Sequence, residues 1–431
     1  MASSRGVVVW SAVLCLAGYV WVYATGLADV PIRSDGFSYY VYLPSWFLFH
    51  DTTLAAVARD CCGGEFPDYS AIIRWPGTRR WVNAHPIGVA VMQAPLFPFA
   101  HGLTKWTNLS ADGFSLYYQH AAGLAGLGWI VAGLALLRRL LLRSFSDGVV
   151  AVTLIALLLG TNLYHYATFD SAYSHPYSFF LFAAFMVLTA AWHEKPASRT
   201  SLLLGLTAGL IVLVRHTNIV FCAVFLLYGA GTGAALAATF ARLRAAPGEL
   251  MRIVGVAVLV IAPQLLIYHQ ATGNPVISSY GGLGFNWASP QIAGVLFGVE
   301  KGLFFWSPVL LVAAAGLAVL ARSAKPAAAF VVPGALFLAV NTYLIASWWD
   351  WQFGGSYGHR GFVDALPVFA LGLAAAFERA SYTARLRALA AVVATLLVSL
   401  SVFQMIQYWY GIIPFQGTTW QLYRELFLQW R

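Results

Sequence analysis

Among the few ionisable residues of this chain, Asp35 is the best placed to move a proton. It sits in Arg33-Ser34-Asp35-Gly36, directly after the apolar run 7–28 and directly before an aromatic segment from Phe37 to Asp51. That segment is too short and too aromatic to cross a bilayer and suits a helix lying in the membrane interface, where Tyr and Trp keep their polar tips wet. A carboxylate at such a junction can take a proton from an attacking hydroxyl. Ser34 or Asp35 can equally be the N-cap of the following helix. Asp51 is a second carboxylate that can share the role or bind substrate, or simply end a helix facing water.

Three groups of cations could hold an anion such as a phosphate: Arg215 with His216, Lys301 within Gly298-Val299-Glu300-Lys301-Gly302, and His359 with Arg360. Arg215 between two apolar runs can also snorkel to the interface, and Lys301 can pair with Glu300. Arg360 follows Gly354-Gly355-Ser356-Tyr357-Gly358, a stretch in which backbone amides and a guanidinium can approach a phosphate together. A further segment, Tyr164 to Pro176, is dense in hydroxyl, imidazole and aromatic groups suited to a sugar, with Asp170 and His175 its leading candidates. His165, Asp170 and His175 lack the spacing of a helical zinc pair, so no metal is expected. A Gly-rich loop, Thr272 to Trp287, fits neither a Walker nor a dinucleotide fingerprint and reads as a loop able to close over a ligand or as a plain connection.

The elements that must position these residues follow from composition. The 431 residues are 60% apolar and only 10% charged, with a mean hydropathy of +0.72; an ordinary soluble domain has roughly 25% charged residues. A soluble enzyme, a disordered chain and a nucleic-acid binder are excluded, and one all-α polytopic membrane body is expected. Spans are predicted at 7–28, 114–137, 147–167, 176–192, 201–214, 217–241, 253–270, 303–321, 327–346, 361–378 and 388–409, about eleven in all. The loops would be 29–112, 271–302 and 347–360 outside, with an interfacial tail at 410–431.

One segment, 86–103, is apolar enough to count as a span. It carries Pro86, Pro95 and Pro98 and is read as re-entrant or surface-lying. With that choice the clusters Arg138, Arg139 and Arg143, Lys195 and Arg199, Arg242, Arg244 and Arg252, Arg322 and Lys325, and Arg379, Arg385 and Arg387 all face the cytoplasm, as the positive-inside rule asks. Only Asp147, Glu194, Glu249 and Glu378 of the 16 acids join them. The acids and histidines therefore gather at the outer face, which is the expected working face. Cys15 and Cys222 lie in apolar runs, while Cys61 and Cys62 are adjacent; no metal pattern results, and a loop disulfide stays open.

A carboxylate directly after the first span, then an aromatic helix and a long external loop, resembles the GT-C superfamily of integral-membrane glycosyltransferases, in the manner of protein O-mannosyltransferases and lipid A aminoarabinose transferases. The turn Asn83-Ala84-His85-Pro86-Ile87-Gly88, the Arg138-Arg139 exit and the loop Ser347 to Arg360 strengthen the likeness. The resemblance implies a polyprenyl-phosphate-linked sugar donor and a lipid, polysaccharide or protein acceptor. It further implies Asp35 as the base, no cofactor, and His85 with the cations above as substrate-binding residues, in a bacterial inner membrane with the site facing the periplasm. Asp35 is followed by Gly36, whereas protein O-mannosyltransferases carry adjacent Asp-Glu, which speaks against a protein-mannosylating role. The competing reading is a lipid or glycan transporter, for which internal repeats and charges near the midplane are expected and are not seen in the sequence.

Overall fold

The structure is a computed structural model and describes residues 3–278 and 283–429. It is almost wholly helical, as a chain must be if its backbone polar groups are to be satisfied inside lipid. Among the described residues six helices are long and apolar enough to cross a membrane: Ser4–Ala24, Leu116–Leu141, His175–Glu194, Pro247–Thr272, Pro326–Ser347 and Ala384–Trp409. Four shorter apolar helices, Asp147–Leu159, Ser198–Val214, His216–Leu226 and Val309–Leu320, fall within other expected spans. The expected span 217–241 is interrupted, a second helix beginning at Gly233.

Contacts between helix ends sort the bundle into two poles. At one pole Arg138 Nε donates to Ser4 Oγ (2.6 Å), Ser4 N donates to Asp147 (2.9 Å), Arg143 pairs with Glu194, and Lys325 pairs with Glu378 (3.0 Å). These are the loops whose basic clusters were expected to share the cytoplasmic side. At the other pole lie the segments after Ala24, around Asp170, after Val214 and between Ser347 and Leu366. The segment 86–103 is broken into Gly88–Gln93, a 3-10 turn Ala94–Leu96 and Phe97–Trp106. Trp129 Nε1, midway along Leu116–Leu141, donates to Met92 O (3.1 Å), while Tyr40 Oη, near the start of that helix, donates to Gly113 O (2.6 Å). The chain thus dips beside the helix and returns to the pole it left.

The aromatic segment after Asp35 departs from the expected surface helix. It forms two short helices, Asp35–Tyr40 and Tyr42–Phe47, and Tyr39, Tyr40, Val41, Tyr42 and Leu43 are buried rather than wet. The cause is the rest of the first loop, which covers them. Helix Ala55–Cys62 and the antiparallel pair Ile72–Arg74 and Trp81–Asn83 bring Val57, Phe66, Ile72 and Trp81 into a second apolar core with Tyr40, Phe97 and Tyr118. Cys61 and Cys62 are joined to each other by a disulfide at the end of Ala55–Cys62.

Two glycines set the distances that matter for the site. A Cβ on Gly88 would collide with the backbone of Leu213 and Val214, so glycine lets the His85 turn lie against the end of Ser198–Val214. A Cβ on Gly126 would collide with Ser171 O, so glycine lets the Asp170–Ser174 turn seat on Leu116–Leu141.

Candidate active site

Asp35 opens the helix Asp35–Tyr40, yet neither it nor Ser34 caps that helix with a side-chain hydrogen bond. Ser34 instead holds φ +47°, ψ −129°, a conformation that costs a non-glycine residue of order 1–3 kcal/mol and is tolerated where the surroundings fix it. What fixes it is Arg33. Its Nη2 donates to Asp170 Oδ1 (2.8 Å) and to Phe169 O (3.0 Å), with the guanidinium carbon 4.6 Å from the centre of the Phe169 ring. Asp170 in turn accepts from His165 Nε2 (2.9 Å), and Trp409 Nε1 donates to His165 Nδ1 (2.8 Å). Because indole N–H is only a donor, His165 Nδ1 must be the unprotonated nitrogen and Nε2 must carry the proton given to Asp170. Asp170 is therefore committed to a buried network that ties the first loop to Ala384–Trp409. Burial would push its carboxyl up, but Arg33 and His165 hold it well below the usual range.

Past that anchor the carboxylate of Asp35 turns to Arg360, whose Nη1 donates to Asp35 Oδ2 at 2.8 Å, with side chains 28% and 14% exposed. Burial pushes the Asp35 carboxyl up, and Arg360, His85 and His175 more than offset it, so the net shift is downward and the group is an anion. Both residues open on a cavity of about 300 Å³, near the low end of the range for small-molecule sites, roughly 300–1,000 Å³.

The cavity wall also carries His175, Arg215 and His216. Behind it stands Asp364, 2% exposed, which accepts from His175 Nδ1 (2.9 Å), Asn218 Nδ2 (2.9 Å) and Arg215 Nη1 (3.2 Å). The Phe353 ring lies between the two arginines, its centre 5.7 Å from the Arg215 guanidinium carbon and 5.8 Å from that of Arg360. Cation–π contact on one ring lets two like charges face one small space. His85 stacks on Tyr39 with ring centres 4.2 Å apart and also lines the cavity; burial pulls its imidazole down to about 4. Asp350, Trp348, Trp349 and Phe285 complete the rim, Asp350 Oδ1 accepting from Gly354 N.

Of the residues singled out in sequence, Asp35, His85, His175, Arg215, His216 and Arg360 therefore meet at one cavity. The others lie elsewhere. Asp51 caps the helix Ala55–Cys62, accepting from Thr53 N (2.7 Å) and Ala56 N (2.9 Å). Asp170 is enclosed as described. Lys301 is 2% exposed and does not pair with Glu300; its Nζ donates to Ser356 O and to Phe415 O (2.7 Å), pinning the Gly-rich loop before Arg360, and burial draws it down to about 7. His359 is buried edge-on against Phe353 and Phe362. Within the Thr272–Trp287 loop, Ser279 to Gly282 lie outside the described residues; Phe285 reaches the cavity rim. Among the described residues no three His, Cys, Asp or Glu side chains converge as metal ligands.

Sequence reasoning missed Asp364 and Asn218. Asp364 lay inside the expected span 361–378, and a carboxylate within a span is itself a functional signal. Its place one helical turn beyond Arg360 was the further hint.

No family model matches this chain, and no curated protein matches it. Solved structures do match, among them two of the archaeal oligosaccharyltransferase AglB from Archaeoglobus fulgidus. One, in complex with an inhibitory peptide and a dolichol-phosphate, has TM-score 0.52 at 12% identity; the other, in the apo form, has TM-score 0.53 at 14% identity. Each match covers 98% of this chain and 57% of the other, so the chain spans little more than half the length of these neighbours. At such identity the likeness is one of fold: the chain shares the fold of the part of these structures that it covers.

Proposed function

We propose that this chain transfers a monosaccharide from a polyprenyl-phosphate-linked donor to a lipid, glycan or protein acceptor at the extracytoplasmic face of the membrane. The observation that carries the reading is an ionised carboxylate, Asp35, lining a cavity that Arg215 and His175 also line. In this reading the acceptor hydroxyl attacks the anomeric carbon and its proton passes to Asp35. The bond from that carbon to the phosphate oxygen breaks, and the electron pair leaves with the polyprenyl phosphate, whose charge the cations stabilise. A single displacement of this kind inverts the anomeric centre, and Asp350 is a second acceptor for sugar hydroxyls. The fold shared with AglB, a protein solved with dolichol-phosphate, supports a lipid-linked donor. The cavity volume suits one sugar ring with its phosphate better than a long glycan.

The same reading has about eleven crossings, with the pole carrying Arg138, Arg143, Lys325 and Glu378 in the cytoplasm. The test reconstitutes the full chain in vesicles with a labelled sugar-phosphoryl-polyprenol and a membrane fraction as acceptor source. Sugar transfer with release of polyprenyl phosphate is expected, and thiol labelling of an introduced Asp112→Cys should occur only from the donor-facing side. Failure to consume the donor, or labelling from the cytoplasm, overturns the reading.

A further inference from the structure

The part of the cavity wall that carries His175 and Arg215 is organised around a residue that has no access to any ligand. Asp364 is enclosed, yet its two oxygens gather three donors from two separate segments: His175 at the start of His175–Glu194, and Arg215 and Asn218 in the turn just after Ser198–Val214. Asn218 Nδ2 is itself held by Ser178 Oγ (3.1 Å). With Nδ1 of His175 donating to Asp364, Nε2 is the ring nitrogen left for the cavity, and the Tyr166 ring, 4.9 Å away and nearly edge-on, limits rotation of the imidazole. Arg215 gives Asp364 one Nη1 contact at 3.2 Å and remains 19% exposed, leaving the rest of its fork for the cavity. A buried carboxylate that orients a histidine while anchoring an arginine creates two aimed donors a short distance apart, the pattern that recognises a phosphate group.

We propose that Asp364 is a positioning residue that aims His175 Nε2 and Arg215 as one clamp for the phosphate of the lipid donor. This rests on the donor reading above. Arg360 is then left to Asp35, and the leaving phosphate departs toward the His175–Arg215 wall.

The test measures binding of farnesyl phosphate, farnesol and inorganic phosphate to the full chain in lipid nanodiscs. Wild type is expected to prefer farnesyl phosphate to farnesol. Asp364→Asn is expected to weaken farnesyl phosphate about tenfold and leave farnesol unchanged, and its effect should largely vanish in a His175→Ala, Arg215→Gln background. Unchanged farnesyl phosphate binding, equal loss for farnesol, or full multiplication of the effects overturns the positioning role. Should Asp364→Asn not fold, His175→Asn keeps a donor for Asp364 while removing Nε2; selective loss of farnesyl phosphate supports the clamp and no loss overturns it. Equal wild-type affinity for farnesyl phosphate and farnesol overturns the donor reading and the clamp together. Inorganic phosphate competing as strongly as farnesyl phosphate supports the clamp and overturns the lipid source.

Discussion

Replacing Asp35 by Asn isolates proton transfer from the electrostatics that hold the site. At 2.8 Å and an effective dielectric of about 20, the attraction between Asp35 and Arg360 is about 6 kcal/mol before both groups are desolvated. Removing one partner of a buried pair typically costs about 3–5 kcal/mol, because the other charge is stranded. Asp35→Ala would therefore confound chemistry with folding. Asn keeps an oxygen within reach of Arg360 Nη1 and the same shape at the start of Asp35–Tyr40, while its amide cannot accept the acceptor's proton. General-base catalysis contributes about 10²–10⁴ in rate, equal to about 2.7–5.5 kcal/mol of barrier. Asp35→Asn should lower kcat by that factor with the donor KM within about twofold, measured as transfer from a labelled sugar-phosphoryl-polyprenol. Thermal stability in detergent should stay close to wild type. A variant that is folded and retains more than a tenth of wild-type kcat refutes Asp35 as the base, and a raised donor KM at unchanged kcat would make it a binding residue instead.

Two further outcomes follow from the same geometry. The depressed carboxyl of Asp35 means that activity persists below the ordinary carboxylate range of about 3.9 and falls as pH drops through the lowered value; Arg360→Gln removes the largest downward influence while burial still pushes up, so the acid limb of kcat should move to higher pH, and an unmoved limb would separate Arg360 from the titrating group. Asp51→Ala should cost about 1 kcal/mol of stability through the lost cap of Ala55–Cys62 with transfer kinetics unchanged, and a lower kcat at unchanged stability would return Asp51 to the substrate.

The membrane body was legible because lipid leaves a chain few choices. Apolar runs of sufficient length and basic clusters at alternate ends are read directly from composition, and the prolines in 86–103 mark a segment that cannot run straight through. The short aromatic helices were misread for a physical reason. Tyr and Trp are equally at home at a wet interface and inside a polar-tipped core, and only the covering hairpin, far along the chain, decides between them. Tyr40 is buried against Phe97 and Phe114, which lie far along the chain, in the same core that Phe66 and Trp81 join.

The candidate site was legible residue by residue but not in its pairing. Asp35, Arg360, Arg215 and His175 stood out because charge is scarce in such a chain, yet sequence offered no reason to join positions 35 and 360 or 175 and 364. Those pairings depend on which loops share a pole and how closely glycines such as Gly88 and Gly126 let them approach. Once the pole is assembled, charge balance narrows the arrangement. Two arginines face one small cavity, each needs a counter-charge when no ligand is bound, and two carboxylates supply it. Asp364 is enclosed and shared among three donors, so it has no free oxygen with which to take a proton, whereas Asp35 has one partner and a side chain 28% exposed. The difference between the two carboxylates, alike in the sequence as lone acids, lies in how many donors each must satisfy, and it is the ground for proposing proton transfer at Asp35 and positioning at Asp364.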